Sequence, residues 1–216
     1  MSYVSTNNHL NFVPLFILIY AKSYKIMELG FVISSVLLVL FAVLALYDGF
    51  YLHIFKYQLH NHSESKKEHL THTIRAVLFP AILYFLFLKQ DCQISFFIGM
   101  TLVFLDIVVL GVDAFMETES RKFMGGLPRW EYILHLFVNG FHFASIAVFL
   151  TLKLHLTKDT ISIIPNFYAY ENFKAFEFIV VNLLPGAILM AFIHVMISIP
   201  KSAVVWNNLR MKLTCC

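Results

Sequence analysis

Hydrophobic residues fill five long stretches of the chain, and polar residues collect between them. The stretches are residues 30–47, 76–88, 94–112, 132–152 and 178–199. A helix needs about 20 predominantly apolar residues to cross a bilayer, and backbone in lipid satisfies its hydrogen bonds only in helices or closed barrels. The pattern therefore predicts an all-α fold, a polytopic membrane helical bundle with about five transmembrane helices. The second stretch is short, and it spans only if Arg75 and Lys89 extend to the two interfaces.

The composition agrees with a membrane protein. Of the 216 residues, 59% are hydrophobic and 13% are charged, whereas a soluble domain carries about 25% charged residues. The net charge of +3 and the absence of a Lys/Arg-rich run give no indication of a nucleic-acid partner. The cysteines Cys92, Cys215 and Cys216 lack the CxxC spacing of a thiolate metal site.

Basic residues set the expected orientation. Lys and Arg are concentrated after the first and third stretches and in the tail. The positive-inside rule then places the N-terminus outside and the C-terminus and the histidine-rich loop in the cytoplasm. Residues 1–26 fit this less well, because Lys22 and Lys25 would lie outside. We interpret Met27 as an alternative start, residues 1–26 as an N-terminal extension that is not necessarily translated, and residues 27–216 as one transmembrane domain.

A polar island, HNHSESKKEHLTHTIR at residues 60–75, separates the first two spans. It holds His60, His62, His69 and His72, together with Glu64 and Glu68. The spacing of three between His69, His72 and Arg75 predicts one helical face. His53 lies seven residues before His60, so the two share a face if the first helix continues past the membrane.

The third and fourth spans each carry one polar stripe. The stripes are Asp106, Asp113 and Glu117 on the third, and Glu131, His135 and His142 on the fourth. Because the two helices run in opposite directions, Asp113 and His135 should lie at similar depth. Asp106 and His142 should meet about 10 Å deeper, at 1.5 Å per residue. Acids within a span are costly and are expected to face the bundle interior with a partner.

These residues predict a metal site built between helices. Imidazole and carboxylate without thiolate suit iron, zinc or manganese, and helical bundles build such sites from inward-facing Glu and His. The predicted ligands are His53, His60, His69, His72, His135 and His142. The carboxylates expected to bridge metals or orient the histidines are Asp48, Glu68, Asp113, Glu117 and Glu131. Residues at the margin of the predicted site are His62, Arg75, Asp106 and His194.

The layout resembles the membrane di-iron hydroxylases and desaturases, which gather histidines from helix ends at the cytoplasmic face. Their HxxxH and HxxHH boxes are not matched here, and the nearest segments are HNH at 60–62 and EHLTH at 68–72. The resemblance implies a metal-dependent oxidoreductase with dinuclear iron, a lipid-like substrate that enters laterally, and an electron-donor protein as partner.

Two other classes stay open from the sequence. Two histidines on different helices can hold haem b; His142 with His53 or His194 would make the protein an electron carrier or an anchor subunit. Zinc is the alternative metal. Asp106 and His142 could instead form a buried pair in a small transporter or a structural membrane protein.

Overall fold

The computed structural model describes residues 12–157 and 159–214, and this described part is 84% helical. The α-helices are α1 (Phe12–Ala45), α2 (Lys66–Ile82), α3 (Gln93–Ser120), α4 (Arg129–Lys153), α5 (Glu171–Ile197) and α6 (Pro200–Thr214). Leu46–Lys56 continues α1 and Leu83–Leu88 continues α2, both as π-helix. Short 3₁₀ turns cover Leu59–Asn61, Ser63–Ser65 and Lys122–Met124. Strands β1 (Leu154–Leu156) and β2 (Ile161–Ile163) form an antiparallel hairpin, the one departure from helix and loop within the described ranges.

Among the described residues, five helical segments are long and apolar enough to cross a membrane, which confirms the predicted helical bundle. They are Ala21–Lys56, Ser63–Leu88, Gln93–Ser120, Arg129–Lys153 and Glu171–Ile197. Most of these segments are longer than the predicted stretches, because the polar residues at the helix ends were not part of the apolar stretches. The short second stretch thus belongs to a segment of 26 residues. The fifth ends at Ile197, two residues before the predicted boundary.

The first helix does not run on to His60, so the shared face with His53 does not form. The helical run ends at Lys56, and Gln58 has a φ of 52°, in the left-handed region. That conformation is disfavoured for residues with a Cβ and breaks a right-handed helix. His60 therefore sits in a turn that folds back over the end of the bundle.

Helix packing leaves an internal space. α1 packs along α4 and α5, and α2 packs along α3 and α5. The pair α3 and α4 is joined mainly by polar side chains that reach across the interior, such as His142 with Asp106 and His135 with Glu117. A cavity lies beside these side-chain pairs and is lined by all five membrane-capable helices.

Aromatic rings fill the end of the bundle where α5 begins. Phe31, Phe149, Phe173 and Phe176 are fully buried and contact one another in edge-on, tilted and stacked pairs. At the same end, Glu28 accepts hydrogen bonds from the backbone N–H groups of the first two residues of α5, at 2.9 and 2.8 Å. A carboxylate there satisfies orphan donors and complements the helix dipole.

The alternative start at Met27 stays a prediction. Residues 1–11 lie outside the described residues, and the described part of the extension continues as α1. Its Tyr24 stacks on Tyr170, with ring centroids 5.2 Å apart. Glu28, which caps α5, would be retained with either start.

Lys153, at the end of α4, is buried in the same region. Its Nζ donates to the Gln90 side-chain oxygen at 2.6 Å, to the Gln90 carbonyl at 3.2 Å and to the Pro165 carbonyl at 3.1 Å. An ammonium group has three donors, and all three are used. Lys153 therefore links the end of α4 to the loop before α3 and to the loop before α5.

We expect Lys153→Met to destabilise the protein by about 1–3 kcal/mol, because it leaves buried carbonyl oxygens unpaired. The measurement is the unfolding midpoint in detergent. Lys89→Met, at an exposed lysine near the same loop, is the matched control and should change the midpoint little. Equal midpoints for the two variants would contradict the assigned role of Lys153.

Candidate metal centre

Acids and histidines converge at the end of the bundle where the first span finishes. We call this group the carboxylate–imidazole cluster. It consists of His53, His72, His135, Asp48, Glu68, Asp113, Glu117 and Glu131. Contacts of 4.0 Å or less join them in two groups, which meet where the His53 and His72 ring centroids lie 4.2 Å apart. The first, second, third and fourth spans all contribute to it. The structure thus brings together three of the predicted histidine ligands and all five predicted carboxylates.

The π-helix at the end of the first span places Asp48 beside His53. Residues five apart lie about 140° apart around an α-helix, which has 3.6 residues per turn. The wider π-helix bonds residue i to i+5 and brings such residues toward one face. Asp48 Oδ1 lies 3.3 Å from His53 Nε2 and 3.1 Å from His135 Nε2 of the fourth span. Glu117 contacts the other ring nitrogen of His135.

His72 lies between two acids, Glu68 and Asp113. Its Nε2 lies 3.6 Å from Glu68 Oε1 and 3.4 Å from Asp113 Oδ2, and Thr71 hydrogen-bonds Asp113. Neither His72 Nε2 nor Glu68 Oε1 has a hydrogen-bond partner among the described residues. Buried polar atoms without partners are rare and are often explained by an ion or water.

The distances suit atoms that share one metal ion. Two groups have all their ligand atoms within 4.8 Å: Asp48, His53 and His135, and His53, Glu68 and His72. Ligands about 2.1 Å from a tetrahedral ion lie about 3.4 Å from each other. The contacts of 3.3 to 3.6 Å within the cluster are close to that separation.

Arg121, the residue after α3, lies inside the cluster and is fully buried. It donates to Glu68 Oε2 at 2.7 Å and to Glu131 Oε1 at 2.7 Å, and its Nη2 lies 3.1 Å from His53 Nε2. Burial disfavours its charge, but the carboxylates of Glu68 and Glu131 outweigh this and raise the pKa of Arg121. Since guanidinium has donors only, His53 Nε2 must be the acceptor in its contact with Arg121.

The sequence interpretation missed Arg121, because it was counted among the basic loop residues. One signal was present. Asp113, Glu117 and Arg121 are four residues apart, so Arg121 continues the acidic stripe of the third span by one more turn.

The cluster has an excess of negative charge. The side chains of Asp48, Glu68 and Glu131 are at most 7% exposed, and those of Asp113 and Glu117 are 11% and 14% exposed. In the described part of the chain, Arg121 is the lysine or arginine that pairs with them, which leaves four negative charges. Uncompensated charges are expensive in a protein interior, so protons on the acids and histidines or metal cations must balance them.

Three other histidines form a separate group, the imidazole trio of His60, His69 and His194. Ring centroids are 5.8 Å apart for the first two and 5.6 Å apart for the last two. All three are buried, and both ring nitrogens of His69 are without a hydrogen-bond partner in the described ranges. A step of three residues rotates a side chain by about 60° around the helix, so His69 and His72 contact different neighbours although they lie on one side of α2. The structure therefore does not bring His60 and His69 into the carboxylate–imidazole cluster.

A deeper polar network joins the second, third and fourth spans. His142 Nε2 lies 3.2 Å from Asp106 Oδ2, as the matched depths predict. Arg75 donates to Asp106 Oδ1 at 3.0 Å and to Asn139 Oδ1 at 2.8 Å. His142 was predicted to be a metal ligand, but it pairs with Asp106 and does not belong to the carboxylate–imidazole cluster. His62, at the margin of the prediction, stacks on Phe123 with ring centroids 3.8 Å apart.

A cavity of about 420 Å³ connects the cluster with the deeper network. Its polar lining includes His72, His135 and Asp106, and its apolar walls include Ala45 and Leu110. All five membrane-capable helices contribute lining residues. The volume lies in the range of small-molecule sites, about 300–1,000 Å³.

The chain matches no known family model, no curated protein sequence and no solved structure. Its function must therefore be argued from the site itself.

We expect Arg121→Met to lower the free energy of unfolding by about 3–5 kcal/mol, because two buried carboxylates lose their partner. The unfolding midpoint in detergent measures this. Lys122→Met is the matched control: its exposed pair with Glu119 contributes about 0–1 kcal/mol. Similar midpoints for the two variants would show that Arg121 does not hold the cluster together.

His60 predicts a pH dependence of stability. Burial lowers the pKa of His60 below its usual value of 6.5. The unfolded chain therefore takes up a proton near pH 6.5 while the folded protein does not, so this contribution is present above pH 6.5 and is lost as the pH falls. His60→Gln should give a shallower loss of unfolding midpoint between about pH 7.5 and 5.5. Parallel curves for the two proteins would contradict the prediction.

Proposed function

We propose that this integral membrane protein is a metal-dependent oxidoreductase that acts on a lipid-like substrate. The metal would be iron, held by the carboxylate–imidazole cluster, and a separate protein would donate electrons. Zinc is the alternative metal. A dinuclear centre stays a prediction, because both convergent groups of ligand atoms use His53.

The observation that carries the proposal is the arrangement of Asp48, His53 and His135. His53 Nε2 accepts a hydrogen bond from Arg121 and so carries no proton, and it lies 3.3 Å from Asp48 Oδ1; an ion bound at Nε2 would replace that hydrogen bond. Two electron-rich atoms at this distance repel each other unless a cation lies between them. His135 Nε2 hydrogen-bonds the same oxygen at 3.1 Å, and it would supply a third ligand where an ion replaces that hydrogen bond.

The carboxylate content favours iron, zinc or manganese over softer metals. Imidazole accepts several transition metals, carboxylate favours the harder ones, and no thiolate or thioether belongs to the cluster. Bound iron would supply the redox chemistry. The protein's own groups would orient the ligands, as Glu117 does by holding the second nitrogen of His135.

The cavity supports a substrate that comes from the membrane. It lies within the spanning helices and next to the cluster. Ala114, Tyr132 and Leu136 line it while exposed on the bundle surface, which gives an opening between the third and fourth spans. An opening at this depth receives molecules dissolved in the bilayer. Alanine and leucine side chains in the walls suit a hydrocarbon chain.

The orientation proposed with this function has the cluster at the cytoplasmic side and the N-terminus outside. It rests on the basic residues near the cluster end, including Lys56, Lys66, Lys67 and Lys201. The electron donor would then be a cytoplasmic or membrane-bound protein.

Haem b and transport are the other functions to distinguish. A porphyrin needs two histidines with room for its ring between them. The His53 ring contacts the His72 ring, with centroids 4.2 Å apart, and the His142 ring packs on Phe41, with centroids 4.4 Å apart. A transport function would draw on the network of Arg75, Asp106 and His142, which lines the cavity. Ionisable residues at this depth often mark ion or proton pathways.

We expect detergent-purified protein, supplied anaerobically with iron, to retain about one or two ions per chain. His135→Ala should lose this metal, because it removes one of the three convergent ligands. Elemental analysis against protein concentration is the measurement. His155→Ala, at an exposed histidine of the hairpin, is the matched control and should keep the metal.

Absence of metal from well-folded protein, with iron, zinc and manganese each tried, would contradict the proposal and favour transport. Iron with the absorption spectrum of haem would point to the electron-carrier function. Zinc without iron would retain the site but remove the oxidoreductase assignment.

A further inference from the structure

The cavity beside the carboxylate–imidazole cluster has a second opening to the membrane. Leu46 of the first span and Asn182 and Gly186 of the fifth span line the cavity and are also exposed on the bundle surface. The opening described above lies between the third and fourth spans, and this one lies between the first and fifth. Because α1 packs along α4 and α5 while α2 packs along α3 and α5, the two openings are on different sides of the bundle.

The two openings lie at different depths in the membrane. Tyr132 and Leu136 belong to the first turns of α4, so the first opening is close to the end of the bundle and to the membrane interface. Gly186 lies near the middle of the fifth span. It precedes His194, at the cluster end, by eight residues, and eight residues of helix extend about 12 Å. The second opening therefore faces the hydrocarbon core of the bilayer.

Apolar walls connect the two openings. Ala42 and Ala45 of the first span, Leu110 of the third, and Leu183 and Ala187 of the fifth all line the cavity. The polar part of the lining comes mainly from the second, third and fourth spans, where the cluster lies. A hydrocarbon chain in the cavity would thus have apolar side chains on one side of it and the cluster on the other.

This arrangement matches the shape of a membrane amphiphile. In a bilayer, the polar head group of a lipid lies in the interfacial region and its chain extends into the hydrocarbon core. The first opening of the cavity is at the depth of the head group, and the second is at the depth of the chain end. A chain that crosses the cavity from one opening to the other leaves an apolar environment at neither end.

We propose that the cavity is a passage through the bundle and that its ligand is an amphiphile with a long hydrocarbon chain. The head group lies at the first opening, and the end of the chain leaves through the second opening into the bilayer. The inference rests on the proposed function only where it names this ligand as the substrate. The cluster then faces carbons in the part of the chain near the head group, and the cavity does not limit the length of the chain.

The test compares two chain lengths. The purified protein in lipid nanodiscs is labelled with octanol that carries a photoreactive diazirine, and unlabelled octanol or hexadecanol competes for labelling of the cavity-lining peptides. In the native protein we expect both alcohols to compete. In Gly186→Phe the ring blocks the second opening, so hexadecanol should compete about tenfold less well than in the native protein. Octanol ends inside the cavity and should compete as it does in the native protein.

Matched variants separate a blocked opening from a general defect. A Cβ at Gly186 meets no atom within 4 Å, and Phe is a better helix former than Gly, so the variant should fold. Gly111→Phe is the control. Gly111 also has no atom within 4 Å of a Cβ, and it is exposed on the third span, away from the described cavity lining. Asn182→Trp, at the same opening, is the second variant and should reproduce the selective loss of hexadecanol competition.

The outcomes separate this inference from the proposed function. Equal competition by hexadecanol in the native protein, Gly186→Phe and Asn182→Trp would overturn the passage. Loss of competition by both alcohols in the folded variants would do the same, because the new side chains would then fill the cavity itself. Native protein without saturable labelling would also overturn it, and each of these results leaves the metal site to its own test. Selective loss of hexadecanol competition in protein that binds no metal would support the passage and contradict the proposed function.

Discussion

The buried guanidinium of Arg121 is the interaction on which the polar end of the bundle depends. It joins Glu68 of the second span, Glu131 of the fourth and His53 of the first, while itself following the third. A charge without water needs its partners at hydrogen-bond distance. One side chain therefore links residues of four spans.

The two ends of the bundle are stabilised by different forces. At the end where α5 begins, phenylalanine rings pack against one another, and Lys153 joins two loops through three hydrogen bonds. At the cluster end, acid–imidazole and acid–guanidinium pairs replace close packing between α3 and α4. Apolar packing can fill space completely, whereas polar pairs hold helices apart at the length of their side chains. The cavity lies at the polar end for this reason.

Sequence periodicity predicted what depends on regular helices. The five spans and the pairing of Asp106 with His142 follow from run length, from antiparallel direction and from a spacing of seven. It did not predict what depends on departures from the α-helix. The π-helix that places Asp48 beside His53 and the left-handed Gln58 that removes His60 from the first helix have no signature in hydrophobic periodicity. Arg121 was hidden because a basic residue after a span satisfies the orientation rule equally well when exposed.

The charge surplus links the stability of the cluster to its chemistry. Four unbalanced carboxylate charges would destabilise a bundle whose interior is otherwise apolar, so the folded protein needs cations at this place for structural reasons alone. Protons on His72 and His135 can supply part of that charge, and a bound ion can supply the rest. If the proposed ion binds, its loss would be answered by uptake of protons at the same groups. The carboxylate–imidazole cluster therefore links charge balance to the distance between the third and fourth spans, where the cavity opens.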